Sequence, residues 1–314
     1  MMIKLLEIIQ EQQDQPKAVI MAGGGGAGKS YLLNQLGLDS LQQFNPDKYV
    51  EDPDHPYHNK LGPASMQVAK DVAAAASNKE SLVWDTTASG AKFMTQLDSM
   101  LAAGYGVYMV MVYAHPMISY AANFERTERS LPSVAVFSTW RNAYQLIDHY
   151  QEKLKGNLSI FVSDRGGKFS KETAAFDKAA EGGVEGIKEY LKQYNEETGA
   201  GKSSFFSPVV MSKEEEEAFN KDVSGIEYNK GNRSEDKAIK QAFLKAFKKN
   251  GVGPGADKLA DAVKKYRDKK EVNDKKSDDV LKNIAEMLFS PKFQELLKHS
   301  EVSDIDSKVQ AFLR

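Results

Sequence analysis

Apolar residues along the first two hundred positions fall into two alternating patterns. Short runs, mostly apolar and bounded by polar or turn residues, predict strands at 17–22, about 41–45, 81–85, 106–113 and 158–163. Between them, apolar residues spaced three and four apart predict helices at about 28–37, 63–77, 90–103, 116–154 and 171–194. A short continuous apolar run suits a strand covered on both faces, whereas helical spacing turns one stripe toward a core. Alternation of this kind implies a parallel sheet with helices on both faces, since each crossover must return over the sheet. The fold expected is α/β, with five parallel strands.

Beyond residue 200 the strand signal stops. Ile239, Ala242, Phe243, Ala246 and Phe247 follow helical spacing, as do Leu259, Val263 and Tyr266, then Val280, Ile284 and Leu288, and later Val302, Ile305, Val309 and Phe312. The run Gly251-Val252-Gly253-Pro254-Gly255 breaks the first pair. Three or four short amphipathic helices, forming a small bundle or a docking surface, are expected here. Lys213 to Ser234 holds four consecutive glutamates and scattered Gly and Asn, and reads as a poorly ordered connection. The division expected is an α/β domain over 1–200 with a short N-terminal helix, a linker over 201–234 and a small α-helical domain over 235–314. On that division a chain ending near residue 200 folds alone.

Composition narrows the chemistry. The 314 residues include no cysteine, which excludes disulfides, a thiolate zinc site and a cysteine nucleophile. The first 200 residues carry 19 basic and 24 acidic side chains and the remainder 23 and 20, so neither part is drawn strongly to nucleic acid. Lys264, Lys265, Lys269, Lys270, Lys275 and Lys276 cluster, but Asp261, Asp268, Glu271 and Asp274 interleave, which favours a solvated face over a phosphate-backbone patch. The apolar patch Leu5, Leu6, Ile8 and Ile9 is too short, and too interrupted by Lys4 and Glu7, for a signal or a membrane span. No membrane partner and a cytoplasmic location are expected.

One motif carries most of the functional information. Gly23-Gly24-Gly25-Gly26-Ala27-Gly28-Lys29-Ser30 is a complete G-x-x-x-x-G-K-[ST] phosphate loop between a strand and a helix that begins near Tyr31. The glycines let backbone N–H groups wrap a β-phosphate, Lys29 places charge on the β/γ oxygens, and the Ser30 hydroxyl can ligate Mg²⁺. The helix that follows adds its dipole to the anion site. Gly199-Ala200-Gly201-Lys202-Ser203 repeats the end of this motif, but Glu196 stands where the first glycine belongs and Pro208 follows closely, so it reads as a linker. No Asn-Lys-x-Asp guanine signature accompanies the loop.

In an open α/β sheet the ligand lies beyond the carboxyl ends of the strands. Asp47, in Phe44-Asn45-Pro46-Asp47-Lys48-Tyr49, is placed to take a proton from an acceptor hydroxyl; a turn residue or helix cap is the alternative. Asp85, ending the third strand before Thr86 and Thr87, suits a carboxylate that orients magnesium, or else caps the next helix. Thr86 and Thr87 either contact substrate or cap. His55 and His58, three apart in a proline-rich loop, lack a third ligand in view and read as loop residues.

Taken together, the phosphate loop, Asn45-Pro46-Asp47-Lys48-Tyr49, His55-Pro56-Tyr57, the strand into Asp85-Thr86-Thr87 and Gly104-Tyr105 resemble zeta-toxin-type P-loop kinases, relatives of polynucleotide kinases. The resemblance covers about residues 15–165. It implies an adenylate-kinase-like sheet, ATP and Mg²⁺, and transfer of the γ-phosphoryl group to a hydroxyl. It also implies Asp47 as general base, Lys29 and Ser30 as phosphate and magnesium contacts, and lid arginines that stabilise charge. Arg126 and Arg129, three apart on one helix face, fill that last place, with surface pairing to Glu125 and Glu128 as the alternative, and Arg141 is a weaker candidate. Many family members carry an arginine a few positions after the base, where this chain has Lys48, Tyr49 and Val50.

The function expected is therefore a kinase acting on a small-molecule hydroxyl, nucleotide-sugar-like, with a nucleic acid 5′-hydroxyl less favoured. A nucleotide-dependent switch or assembly factor, or a structural protein on a kinase fold, stands as the alternative, with the C-terminal helices binding a protein partner.

Overall fold

The five expected strands form one sheet in the computed structural model, which describes residues 15–38, 41–58, 60–125, 133–163, 166–198, 213–224, 233–246, 256–298 and 301–314. Strands β1 (Lys17–Ala22), β2 (Gln42–Phe44), β3 (Leu82–Asp85), β4 (Gly106–Tyr113) and β5 (Leu158–Val162) lie in the order β2-β3-β1-β4-β5. All four pairings are parallel. β1 and β4 are buried from their second residue to their last, which is why they read as unbroken apolar runs. The register sets Met21 beside Asp85 and Ala22 beside Met111, so the loop after β1 leaves the middle of the sheet at the same level as the end of β3.

Helices α1 (Lys29–Gln35), α2 (Pro46–Glu51), α3 (Leu61–Ser77), α4 (Ala91–Ala102), α5 (Pro116–Phe124), α6 (Ser133–Tyr144), α7 (Ile147–Leu154), α8 (Gly166–Glu181) and α9 (Gly183–Thr198) alternate with the strands. The long helix expected over 116–154 is three helices among the described residues, with α6 and α7 parted at Gln145 and Leu146. The helix expected over 171–194 is two, parted at Gly182, with the left-handed Gly183 (φ 70°) opening the second.

The later chain departs further from expectation. α10 (Lys213–Val223) is a helix where a poorly ordered connection was expected; its consecutive glutamates are good helix formers. After α11 (Arg233–Ala246), the residues expected as separate short helices form one helix, α12 (Ala256–Phe289). Its interior holds neither Gly nor Pro, and the polar stretch between its apolar ends carries the Glu271–Lys275 pair at i,i+4. Short α13 (Pro291–Leu296) and α14 (Val302–Leu313) complete the chain.

Two compact units result. One contains residues 1–131, 135–191 and 282–314; the other contains 132–134 and 192–281. In the second, Phe219 and Phe243 meet edge to face at 5.5 Å, and Phe219, Ile239 and Val263 are buried. In the first, Ile305 and Val309 of α14 are fully buried in the cluster formed by Val19, Met21, Val110, Val112 and Leu36. Gln310 Nε2 donates to the Leu36 carbonyl at 3.1 Å and Lys17 Nζ to that of Leu313 at 2.6 Å. The small helical domain expected over 235–314 thus differs from the structure in its last segment, which covers the sheet. The apolar stripe of α14 finds its partner in β1, β4 and α1, and removing it would open that core to water.

Candidate functional site

The backbone of the phosphate loop lies against the ends of neighbouring elements at a distance only glycine permits. A Cβ on Gly23 (φ 140°) would stand 2.3 Å from the Val112 carbonyl oxygen, and one on Gly26 (φ 79°) 2.6 Å from that of Ser119. The Gly24 amide donates to the Tyr144 hydroxyl at 3.2 Å, and that hydroxyl donates to the Val112 carbonyl at 2.8 Å. Ala27 N–H closes back on the Gly24 carbonyl at 3.2 Å, and Gly28 leads into α1. Ser30 and Tyr31 are exposed at the start of that helix, Tyr31 strongly so at 61%.

Lys29 folds back over the loop. Its Nζ donates to the carbonyls of Gly23 (3.1 Å) and Gly24 (3.2 Å) and lies 3.9 Å from Asp85 Oδ1. Asp85 is buried at the end of β3. Its other oxygen accepts from Asn45 Nδ2 at 3.2 Å, while Asn45 Oδ1 accepts from the Asp47 amide at 2.8 Å. One continuous line of polar contacts therefore runs from the loop through Lys29, Asp85 and Asn45 to the backbone amide of Asp47.

This settles what caps what. Asn45, not Asp47, caps α2, with Pro46 at the first helical position. Asp47 lies in the first turn, where the helix dipole favours a carboxylate. Gly90, not Asp85, precedes α4. Thr86 accepts from the Ala88 amide at 3.3 Å, and Thr87 shares a 2.7 Å hydrogen bond with Ser89. Ala88 is held at φ 50°, a costly conformation for a residue with a Cβ, and its carbonyl accepts from the Tyr150 hydroxyl at 2.5 Å.

On the α2 side, His55 stacks on Tyr49 at 4.5 Å with rings 8° from parallel, and its Nδ1 accepts from the Tyr57 amide. The Tyr49 hydroxyl donates to Asp71 at 2.9 Å; burial first, and then this carboxylate, push its pKa up. Arg141 turns both Nε and Nη2 onto Asn142 Oδ1. Arg126 and Arg129 lie outside the described residues, as does the repeat Gly199–Ser203.

The donors fit the groups implied by the motif. Mg²⁺ takes oxygen ligands, commonly one or two carboxylates with substrate phosphates completing the shell, and Ser30 and Asp85 offer a hydroxyl and a carboxylate beside the loop. The sequence reading assigned no task to Asn45, Tyr144 or Ser163, whose Oγ stands 3.2 Å from where a Gly28 Cβ would be. Asn45 was legible as a cap, being Asn before Pro; the other two touch the loop only through tertiary structure.

The zeta toxin family model matches residues 4–155. No curated protein matches the chain. Among solved structures, similar chains include that of the PezAT chromosomal toxin–antitoxin system of Streptococcus pneumoniae, 16% identical over 48% of this chain and 70% of that one, with a TM-score of 0.36. The AvrRxo1-ORF1:-ORF2 complex with ATP is 13% identical over 84% of this chain and 89% of that one, TM-score 0.41. A candidate kinase from Chloroflexus aurantiacus is 15% identical over 34% of this chain, TM-score 0.29, and the present chain spans 65% of its length. The residues that hold the phosphate loop, Asp47 and Asp85 thus fall within the part of the chain that resembles the zeta toxin family, and with β5 this part builds the five-stranded parallel sheet.

Proposed function

We propose that this chain is a kinase that moves the γ-phosphoryl group of ATP to a hydroxyl of a small, nucleotide-sugar-like molecule. The observation that supports the reading is the line of contacts from Lys29, at the start of α1, through the buried carboxylate of Asp85 and the Asn45 side chain to the backbone amide of Asp47.

In this reading the loop amides and Lys29 hold the β- and γ-phosphates, and Lys29 exchanges the Gly23 and Gly24 carbonyls for phosphate oxygens. Ser30 and Asp85 would hold Mg²⁺, which when bound neutralises charge on the β/γ oxygens. Asp47 accepts the proton of the acceptor hydroxyl as its oxygen bonds to the γ-phosphorus; the bond from that phosphorus to the β–γ bridging oxygen breaks, and ADP leaves. The exposed face of Tyr31 is available to the nucleoside. Arg126 and Arg129 are proposed as the charge-stabilising lid residues. A nucleic acid 5′-hydroxyl is the less favoured acceptor, since Lys48, Tyr49 and Val50 follow Asp47 where many family members carry an arginine that holds the acceptor.

Incubation of the full chain with γ-labelled ATP, Mg²⁺ and a metabolite extract tests the proposal. Label in a small acceptor, absent with Asp47→Asn, supports it. ATP binding with no labelled acceptor in the metabolite extract or on 5′-hydroxyl oligonucleotides overturns it.

A further inference from the structure

Four consecutive glycines, Gly23 to Gly26, give the phosphate loop more backbone freedom than any other eight-residue stretch of the chain. A loop that samples many shapes must be ordered when it closes on a ligand, and that ordering is subtracted from affinity. Something in the fold has to hold it in advance. The Tyr144 hydroxyl does so from both sides, accepting from the Gly24 amide at 3.2 Å and donating to the Val112 carbonyl at 2.8 Å. That carbonyl is the one on which Gly23 is pressed. Tyr144 thereby ties the first half of the loop to the end of β4.

Tyr144 is itself held by a wall of rings. Trp140, whose indole N–H donates to the Ala114 carbonyl at 2.8 Å, meets Tyr144 at 4.9 Å, and Tyr113 meets it at 5.1 Å. Trp140 also backs Gly24 directly, standing 3.4 Å from where its Cβ would be. The fourth ring comes from far along the chain: Phe293 of α13 lies 5.7 Å from Tyr113 and 6.4 Å from Trp140, and is buried. Ser290 caps α13, Pro291 starts it, and Lys292 pairs with Asp148, so Phe293 enters the wall from an anchored turn of helix.

We propose that Tyr144 is a positioning residue that pre-shapes the phosphate loop for a triphosphate, and that Phe293 in the last segment of the chain holds Tyr144 in place. The nucleotide site then depends on a segment of the chain that lies far in sequence from the loop motif. This rests on the reading of the loop as an ATP site.

The test is calorimetric titration of the full chain with ATP·Mg²⁺ at a temperature where every variant is folded, with melting curves of the ligand-free proteins alongside. Tyr144→Phe keeps the ring and removes the hydroxyl, leaving the Gly24 amide and Val112 carbonyl without it. It weakens ATP binding by about tenfold or more, the effect of one lost hydrogen bond to a buried group. Phe293→Ala weakens binding in the same way, and Phe293→Leu, which refills the gap, restores most of it. Nucleotide affinity within about twofold of wild type in Tyr144→Phe, with only the ligand-free melting temperature lowered, overturns the proposal. Lys29→Ala in parallel separates the two readings: if it binds ATP as the wild type does, the site assignment itself fails.

Discussion

Lys29 Nζ lies 3.9 Å from Asp85 Oδ1, with both side chains largely withdrawn from solvent; the lysine opens α1 and the aspartate ends β3. The pair keeps the lysine over the loop, while the second oxygen of Asp85 holds Asn45. A phosphate chain entering the loop offers Lys29 stronger, charge-assisted partners than the two carbonyls it now contacts.

Loss of that lysine is expected to remove nucleotide binding and leave the fold. A ligand in hundredfold to thousandfold excess over its Kd stabilises a protein by about 2.7 to 4 kcal/mol. Lys29→Ala should show none of this gain in melting curves with ATP·Mg²⁺. An undiminished shift would place the nucleotide somewhere other than this loop.

Asp47→Asn tests the base. Asn45 keeps its own cap contact to the residue 47 amide, and the loss of one half-buried first-turn carboxylate costs about 0.3 to 2 kcal/mol, so the fold should persist and ATP affinity change little. Phosphoryl transfer should fall by roughly a hundredfold or more. Transfer at near the wild-type rate would reduce Asp47 to a helix-dipole residue.

The last helix is expected to matter for folding. Ile305 and Val309 are fully buried against β1 and β4, and Ile305→Ala should cost about 2 to 5 kcal/mol in urea unfolding, the range for a buried aliphatic cut to a methyl. A chain ending near residue 200 should expose the same face and lose cooperative unfolding. A cooperative, ATP-binding truncated protein would show instead that α14 is dispensable.

Burial pushes the phenols of Tyr113 and Tyr144 well above their ordinary range; for Tyr113 the neighbouring Tyr144 and Asp177 push the same way, and for Tyr144 the Gly24 and Ala114 backbone contacts partly oppose it. In the unfolded chain both ionise near pH 10, while in the folded chain they keep their protons. The unfolded state then binds fewer protons above pH 10, so stability falls as pH rises past that point, by about 1.4 kcal/mol per pH unit for each tyrosine. Below about pH 9 neither contributes any slope. Urea unfolding between about pH 9 and pH 11 should be less pH-dependent in Tyr144→Phe by one tyrosine's share. An identical slope would mean that Tyr144 ionises alike in both states.

Strand positions were legible because a parallel strand, covered on both faces, has to be apolar at successive positions, as in Val107 to Tyr113. The loop motif was legible because it is eight contiguous residues, and the places of Asp47 just past β2 and Asp85 at the end of β3 followed from the strand pattern. Helix breaks were read less well. Gly182 and Gly183 mark one break in the sequence, whereas neither Gly nor Pro stands at the parting at Gln145 and Leu146.

The amino-acid order by itself determined local things: which segments are apolar on both sides, which on one, and which backbone can wrap an anion. It also determined that α14 has an apolar face, since Val302, Ile305 and Val309 repeat at helical spacing. Spacing says that a face must be covered, and nothing about by what, because burial is non-directional and any apolar surface would serve. Only the tertiary structure decided that this face closes the sheet behind the phosphate loop, so that the last residues of the chain complete the core begun by the first strand. Only it brought the Tyr144 hydroxyl to the Gly24 amide across 120 residues of sequence, a contact for which neither residue's neighbours carry any sign.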